Sequence, residues 1–232
     1  MKKLISCIIL ISVLAACTKD KTGNMLVKVS VDGLKKGTVY LQKMKDTVLV
    51  SVDSVEINGD GIFVLSDEIE TPEVYIVSLD KIASEKITFF GEKGEITINS
   101  RVEKFATSAK ITGSKNQEKL EEYKAMSKKF TGKQLDLLKE KFEAHQKNDT
   151  ALIAKILKDE KSLLKRKYYY TTNFAVVNAD FETAPYLALT ELYNANIKLL
   201  DTVNNSLTEK VKLSKYGKEL DKFIKEIKQS EN

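Results

Sequence analysis

The sequence predicts an α+β protein, with an N-terminal antiparallel β-sandwich or open barrel over residues 25–113 and a C-terminal helical region over 114–232. Three observations carry this expectation. The apolar residues recur with a period near two as far as Gly113 and with a helical period beyond it. Glycine-containing turn signals punctuate the first half at short intervals, and Ser114 stands where a helix should start. At 232 residues, 42% hydrophobic and 31% charged, the chain has the composition of a protein that can bury a core.

The strands follow in order. Leu26, Val27, Val29 and Val31 alternate into Asp32-Gly33. Residues 38–44 and 47–57 are rich in β-branched side chains, which fit a pleated, half-buried surface. Asn58-Gly59-Asp60-Gly61 accepts positive φ and is expected to close a hairpin onto residues 62–65. Residues 73–79, 86–90 and 95–99 continue the series, with a second hairpin turn expected at 91–94 and a last short strand at 110–112.

Past Gly113, Ser114 and Gln117 have the spacing of a capping box. Leu120, Tyr123, Met126 and Phe130 then share a face; Gly132 is expected to interrupt it before Leu135, Leu138 and Phe142 resume the stripe. Asp149 or Thr150 can cap a second long helix bearing Ile156, Leu163 and Tyr168. Pro185 suits the first turn of a further helix, and Leu220, Phe223, Ile224 and Ile227 give the last one an apolar face. Stripes this wide need cover, so the helices are expected to pack on a sheet face and on one another.

The N-terminus carries an address. Lys2 and Lys3 precede an apolar run over residues 4–13, too short for a membrane span but suited to a secretory signal. Leu14-Ala15-Ala16-Cys17 resembles the lipobox of bacterial lipoproteins, in which cleavage falls between Ala16 and Cys17 and the cysteine thiol takes a diacylglyceryl group. The alternative is a plain signal peptide with an incidental cysteine. On the lipoprotein reading, residues 1–16 are the signal peptide and residues 17–24 a polar tether. Thr18 after the cysteine resembles the outer-membrane pattern, so the expected location is the cell envelope, anchored in the outer membrane and facing the periplasm. Cys7 leaves with the signal and Cys17 is spent on lipid, which excludes thiol chemistry by the mature chain.

The charge excess of +5 is too small to argue for a nucleic-acid partner, and none is expected. Residues 17–113 hold 13 Lys+Arg against 15 Asp+Glu, net −2, while residues 114–232 hold 23 against 18, net +5. One histidine, His145, on a charged helical stretch has no evident catalytic partner. Carboxylate pairs such as Asp67-Glu68, Glu121-Glu122 and Asp159-Glu160 are adjacent, so helical ones diverge instead of facing a substrate. Asn58-Gly59-Asp60-Gly61 lacks the further oxygens of a calcium loop. No cofactor, metal or catalytic residue is expected. Tyr168-Tyr169-Tyr170, flanked by Arg166, Lys167 and Phe174, is the most aromatic stretch; burial is the first expectation, and a docking surface the functional alternative.

The strand half resembles the uncharacterised β-sandwich domain at the N-terminus of thioredoxin-like lipoproteins of Gram-negative bacteria. The resemblance rests on Ile57 to Phe63, on Thr71-Pro72-Glu73-Val74-Tyr75, on residues 88–98 and on Ile111 to Ser114. Helical elements like Ala184-Pro185-Tyr186 and Tyr216-Gly217-Lys218 follow in such proteins. A thioredoxin domain would begin where this sequence reaches Asn232, so the resemblance implies the sandwich without its redox partner domain. The functional expectation is a lipid-anchored, non-enzymatic module that binds the membrane through its anchor and an unidentified envelope protein through its surface. The alternative is an accessory subunit of a thiol-disulfide system that docks a separate thioredoxin-like protein; a hydrolase with an unrecognised site is disfavoured.

Overall fold

The computed structural model describes residues 22–59, 61–80 and 82–230. Eight strands come first: β1 (Met25–Asp32), β2 (Lys36–Lys45), β3 (Val48–Asn58), β4 (Ile62–Asp67), β5 (Glu73–Leu79), β6 (Ile82–Gly91), β7 (Gly94–Arg101) and β8 (Lys110–Thr112). They form two open four-stranded sheets, ordered β4-β1-β7-β8 and β3-β2-β5-β6. Alternation does the rest: Val27 and Val29, Leu41, Tyr75, Phe89, Ile96 and Ile98 all turn into the space between the sheets.

Connectivity departs from the expected hairpins in two places. The β3–β4 and β6–β7 turns do not pair their flanking strands; each carries the chain from one sheet to the other. At the first crossing the sheet edges are stitched by a side chain, with the Asp53 carboxylate accepting from the Ser66 amide at 2.8 Å. The hairpins are β2–β3, turning at Asp46 (φ 54°) and Thr47, and β5–β6. Because the chain shuttles between sheets, β7 arrives beside β1 running in the same direction, a parallel pair within otherwise antiparallel ladders.

The helices are α1 (Lys115–Gln146), α2 (Thr150–Val177), α3 (Thr183–Glu191), α4 (Ile197–Ser206), α5 (Glu209–Lys212) and α6 (Lys215–Ser230). Ser114 caps α1, accepting from the Gln117 amide at 3.0 Å. The reciprocal half of the box is absent: the Gln117 side chain accepts from Phe90 N at 2.8 Å and donates to Glu121 at 2.7 Å, tying the helix to β6. Gly113, at φ 96°, permits the tight entry, since a Cβ there would collide with the Glu95 carbonyl. Gly132 does not interrupt α1, because a single glycine costs only about 1 kcal/mol within a helix otherwise held at both ends. Asn148, in the left-handed region, ends α1, and Asp149 caps α2 by accepting from Leu152 N at 2.9 Å.

The sheet containing β5 and β6 serves two cores. Tyr75 and Phe89 enter the sandwich, while their neighbours Val74 and Phe90 enter a second cluster with Leu120, Tyr123, Phe174, Leu187 and Tyr216. A third cluster joins α2, α3, α4 and α6 through Ala175, Leu200, Leu220 and Ile224. The molecule is therefore sheet, sheet and helices in layers, the expected N-terminal β region with helices after it.

Candidate functional site

Ala16 and Cys17 lie outside the described residues. The three tyrosines diverge: Tyr168 packs into the helical core, Tyr170 stacks on Tyr123 at 5.9 Å between α1 and α2, and Tyr169 is 49% exposed under the Lys165 ammonium. His145 is exposed in the last turn of α1. The carboxylate pairs split as well, Asp67 bonding Lys43 while Glu68 bonds Asn24, and Glu121 and Glu122 pairing with different lysines. Among the described residues no three His, Cys, Asp or Glu side chains could hold a metal ion, and no helix is long and apolar enough to cross a membrane.

Two other places gather chemistry. The first is a charged seam where α6 meets β2 and β5. The Lys43 ammonium donates to Asp67 at 2.6 Å and to the Tyr75 hydroxyl at 3.2 Å, and pairs with Glu73 at 3.3 Å. Tyr75 also donates to Asp67 at 2.6 Å. From α6, Lys215 reaches Glu73 at 2.6 Å and the Met44 carbonyl at 3.0 Å, and the Tyr216 hydroxyl accepts from Val74 N at 3.0 Å. Burial would lower the Lys43 pKa, but the Asp67 and Glu73 carboxylates outweigh it and hold the group above its ordinary value. Burial and then Asp67 push the Tyr75 hydroxyl well up, and burial does the same to Tyr216. Lys43, Tyr75 and Tyr216 thus keep their protons near neutral pH, and the seam clamps α6 to the sheet.

The second place is the α1–α2 hairpin. At 32 residues α1 is about 48 Å long, and only its first turns rest on the β domain, through Asn116, Gln117 and Leu120. Steps of three and four residues carry that stripe outward from Gln117 and Leu120 to Leu135, Leu138 and Phe142. On α2 the line from Ala175 through Tyr168, buried against the helical core, continues to Leu164 and Leu157. Beyond the core these five side chains are 48–64% exposed. Between the helices lies a groove of about 450 Å³, with Phe130, Leu157, Leu163 and Leu164 in its walls and Glu160, Lys161 and Lys167 along it. Leu138 and Phe142 follow Gln134, another wall residue, at four-residue steps, so the bare stripe of α1 flanks the same groove. The helices still bury Ala144, Ile156 and Leu163 near the tip; the sequence showed the stripe but not that this face of it stays exposed.

The site thus sits on a helical extension of a two-sheet β domain. Residues 25–120, from β1 to Leu120 in α1, match the family described as "Domain of unknown function (DUF4369)". The match covers the β region and ends where α1 leaves the sheet. Neither the comparison with curated proteins nor that with solved structures found a match.

Proposed function

We propose that this protein is a lipid-anchored module of the cell envelope, held in the outer membrane through Cys17 and facing the periplasm, that works by binding another molecule instead of transforming one. The observation that carries the binding role is the half-covered hairpin. Large apolar side chains left exposed together on a folded domain mark an interaction site, and here Leu135, Leu138 and Phe142 on α1 and Leu157 and Leu164 on α2 are exposed beside the groove. The lysines and carboxylates of the seam are paired with one another between α6 and the sheet, which supports a structural role for them. The lipoprotein context of the thioredoxin-like proteins that the β half resembles fits an anchored scaffold, with any disulfide chemistry left to other chains.

Site-specific photo-crosslinking in cells tests the binding role. A crosslinker replacing Leu138 should yield a discrete adduct that one replacing Glu143, on the far side of α1, does not. Equal adducts, or none, would remove the groove from the reading. The anchor is tested separately: Cys17→Ser should take up no labelled fatty acid and leave the membrane fraction, because stable anchoring needs the acyl chains. A variant that stays membrane-bound through a high-salt wash refutes it.

A further inference from the structure

We propose that the groove of the α1–α2 hairpin receives an amphipathic helix of a partner protein whose apolar stripe is flanked by acidic side chains. This deepens the interaction reading above and rests on it. The charge around the groove selects the occupant. Lys161 lies along it and forms no ion pair among the described residues, while Lys167, also along it, pairs with Glu191 at 2.7 Å. Lys165 and Lys139 border the two stripes at helical spacing. The acidic groups are elsewhere: Asp136, Glu140 and Glu143 fall on the far side of α1, and Asp159 pairs with Lys155 on the outer face of α2. The one carboxylate in the groove, Glu160, is held by Lys141 at 2.9 Å. The surface is therefore apolar with a cationic border, and complementary charge means an acidic flank.

Two other occupants fit less well. A second copy laid groove to groove would set Lys161 against its counterpart, with the one groove carboxylate, Glu160, already held by Lys141, which is destabilising. A flat lipid surface would leave the concavity between the helices unfilled, whereas a third helix lies along such a groove with ridges in contact. From Leu157 to Lys167 the groove runs about 15 Å, the length of a helix of about three turns.

The test uses residues 17–232 carrying Cys17→Ser, which contain every described element. Two fluorescent helical peptides share one leucine stripe, one with glutamate flanks and the other with lysine flanks. The glutamate peptide should bind about tenfold or more tightly than the lysine peptide, and its affinity should fall with added salt. Leu138→Asp and Leu157→Asp should each weaken it about tenfold without moving the melting temperature, and Lys161→Glu should erase the preference between peptides. Equal binding, or none, overturns the proposal. Sedimentation showing a dimer lost on Leu138→Asp assigns the groove to a second copy and overturns it. Flotation with phosphatidylglycerol vesicles, lost on the same substitution, assigns it to lipid and does so too. If the peptides fail while the Leu138 crosslink persists in cells, only the acidic helix is wrong; if both fail, so is the interaction reading.

Discussion

The two ends of the α1–α2 hairpin are built from the same helices and the same stripes, yet they have opposite relations to solvent. At the base, Leu120 and Tyr123 meet Phe90, Phe174 and Leu187, and Tyr123 donates to or accepts from the Thr171 hydroxyl at 2.8 Å. At the far end, Leu135, Leu138 and Phe142 continue the pattern into water. Stability is concentrated in the first region, and the second keeps free the surface that a partner can use. An apolar stripe is a statement of need, and neighbouring elements decide how much of it is met.

This contrast can be broken by substitution. Phe90→Ala should cost the most, about 3–5 kcal/mol in urea unfolding, because its ring is fully buried against Tyr186 at 5.2 Å and Tyr216 at 6.0 Å. A loss under 1 kcal/mol would mean that the base is as loosely held as the tip. Glu73→Gln should cost about 2 kcal/mol, since both Lys43 and Lys215 lose their shared carboxylate. Double-mutant coupling with Lys215→Met measures the clamp directly, and zero coupling would show that α6 is held by packing alone.

Tyr123→Phe should cost about 1 kcal/mol at neutral pH through the lost Thr171 bond. It also has a signature at alkaline pH. Burial pushes the Tyr123 hydroxyl up to about 12 from an ordinary 10.0, so the folded chain holds this proton more tightly than the unfolded one. That contribution is intact below pH 10 and is lost as pH rises towards about 12. The Tyr123→Phe protein should therefore lose less stability than the parent over that interval, and parallel pH profiles would contradict the burial. Smallest of all, Leu138→Asp should change stability by less than about 0.5 kcal/mol. A larger loss would mean that the far end is covered in the free protein.

Much of the architecture was legible locally. The change of period at Gly113, the Ser114 and Asp149 caps and all eight strands depend on neighbouring residues, whose propensities and hydrogen bonds act over a few positions. The glycine turns misled because a turn signal says that the chain reverses, not which sheet it joins next. Gln117 misled for a related reason: its amide had two partners within reach, and Phe90 N took the place of the cap.

The candidate sites were harder to read. Lys43, Glu73 and Lys215 converge across more than 140 residues of sequence, and nothing in the residues around any one of them announces the others. Leu135, Leu138 and Phe142 were visible as a stripe, but exposure is a property of what else lies nearby.

What the amino-acid order determined by itself was the type and position of each element, because backbone preference, capping and apolar period are settled over a few residues. What only the tertiary structure decided was partnership: the parallel β1–β7 pair, the seam that clamps α6, and which face of the α1–α2 hairpin is left without cover. Those outcomes depend on contacts between distant segments, whose free energy exists only once the layers have been brought together.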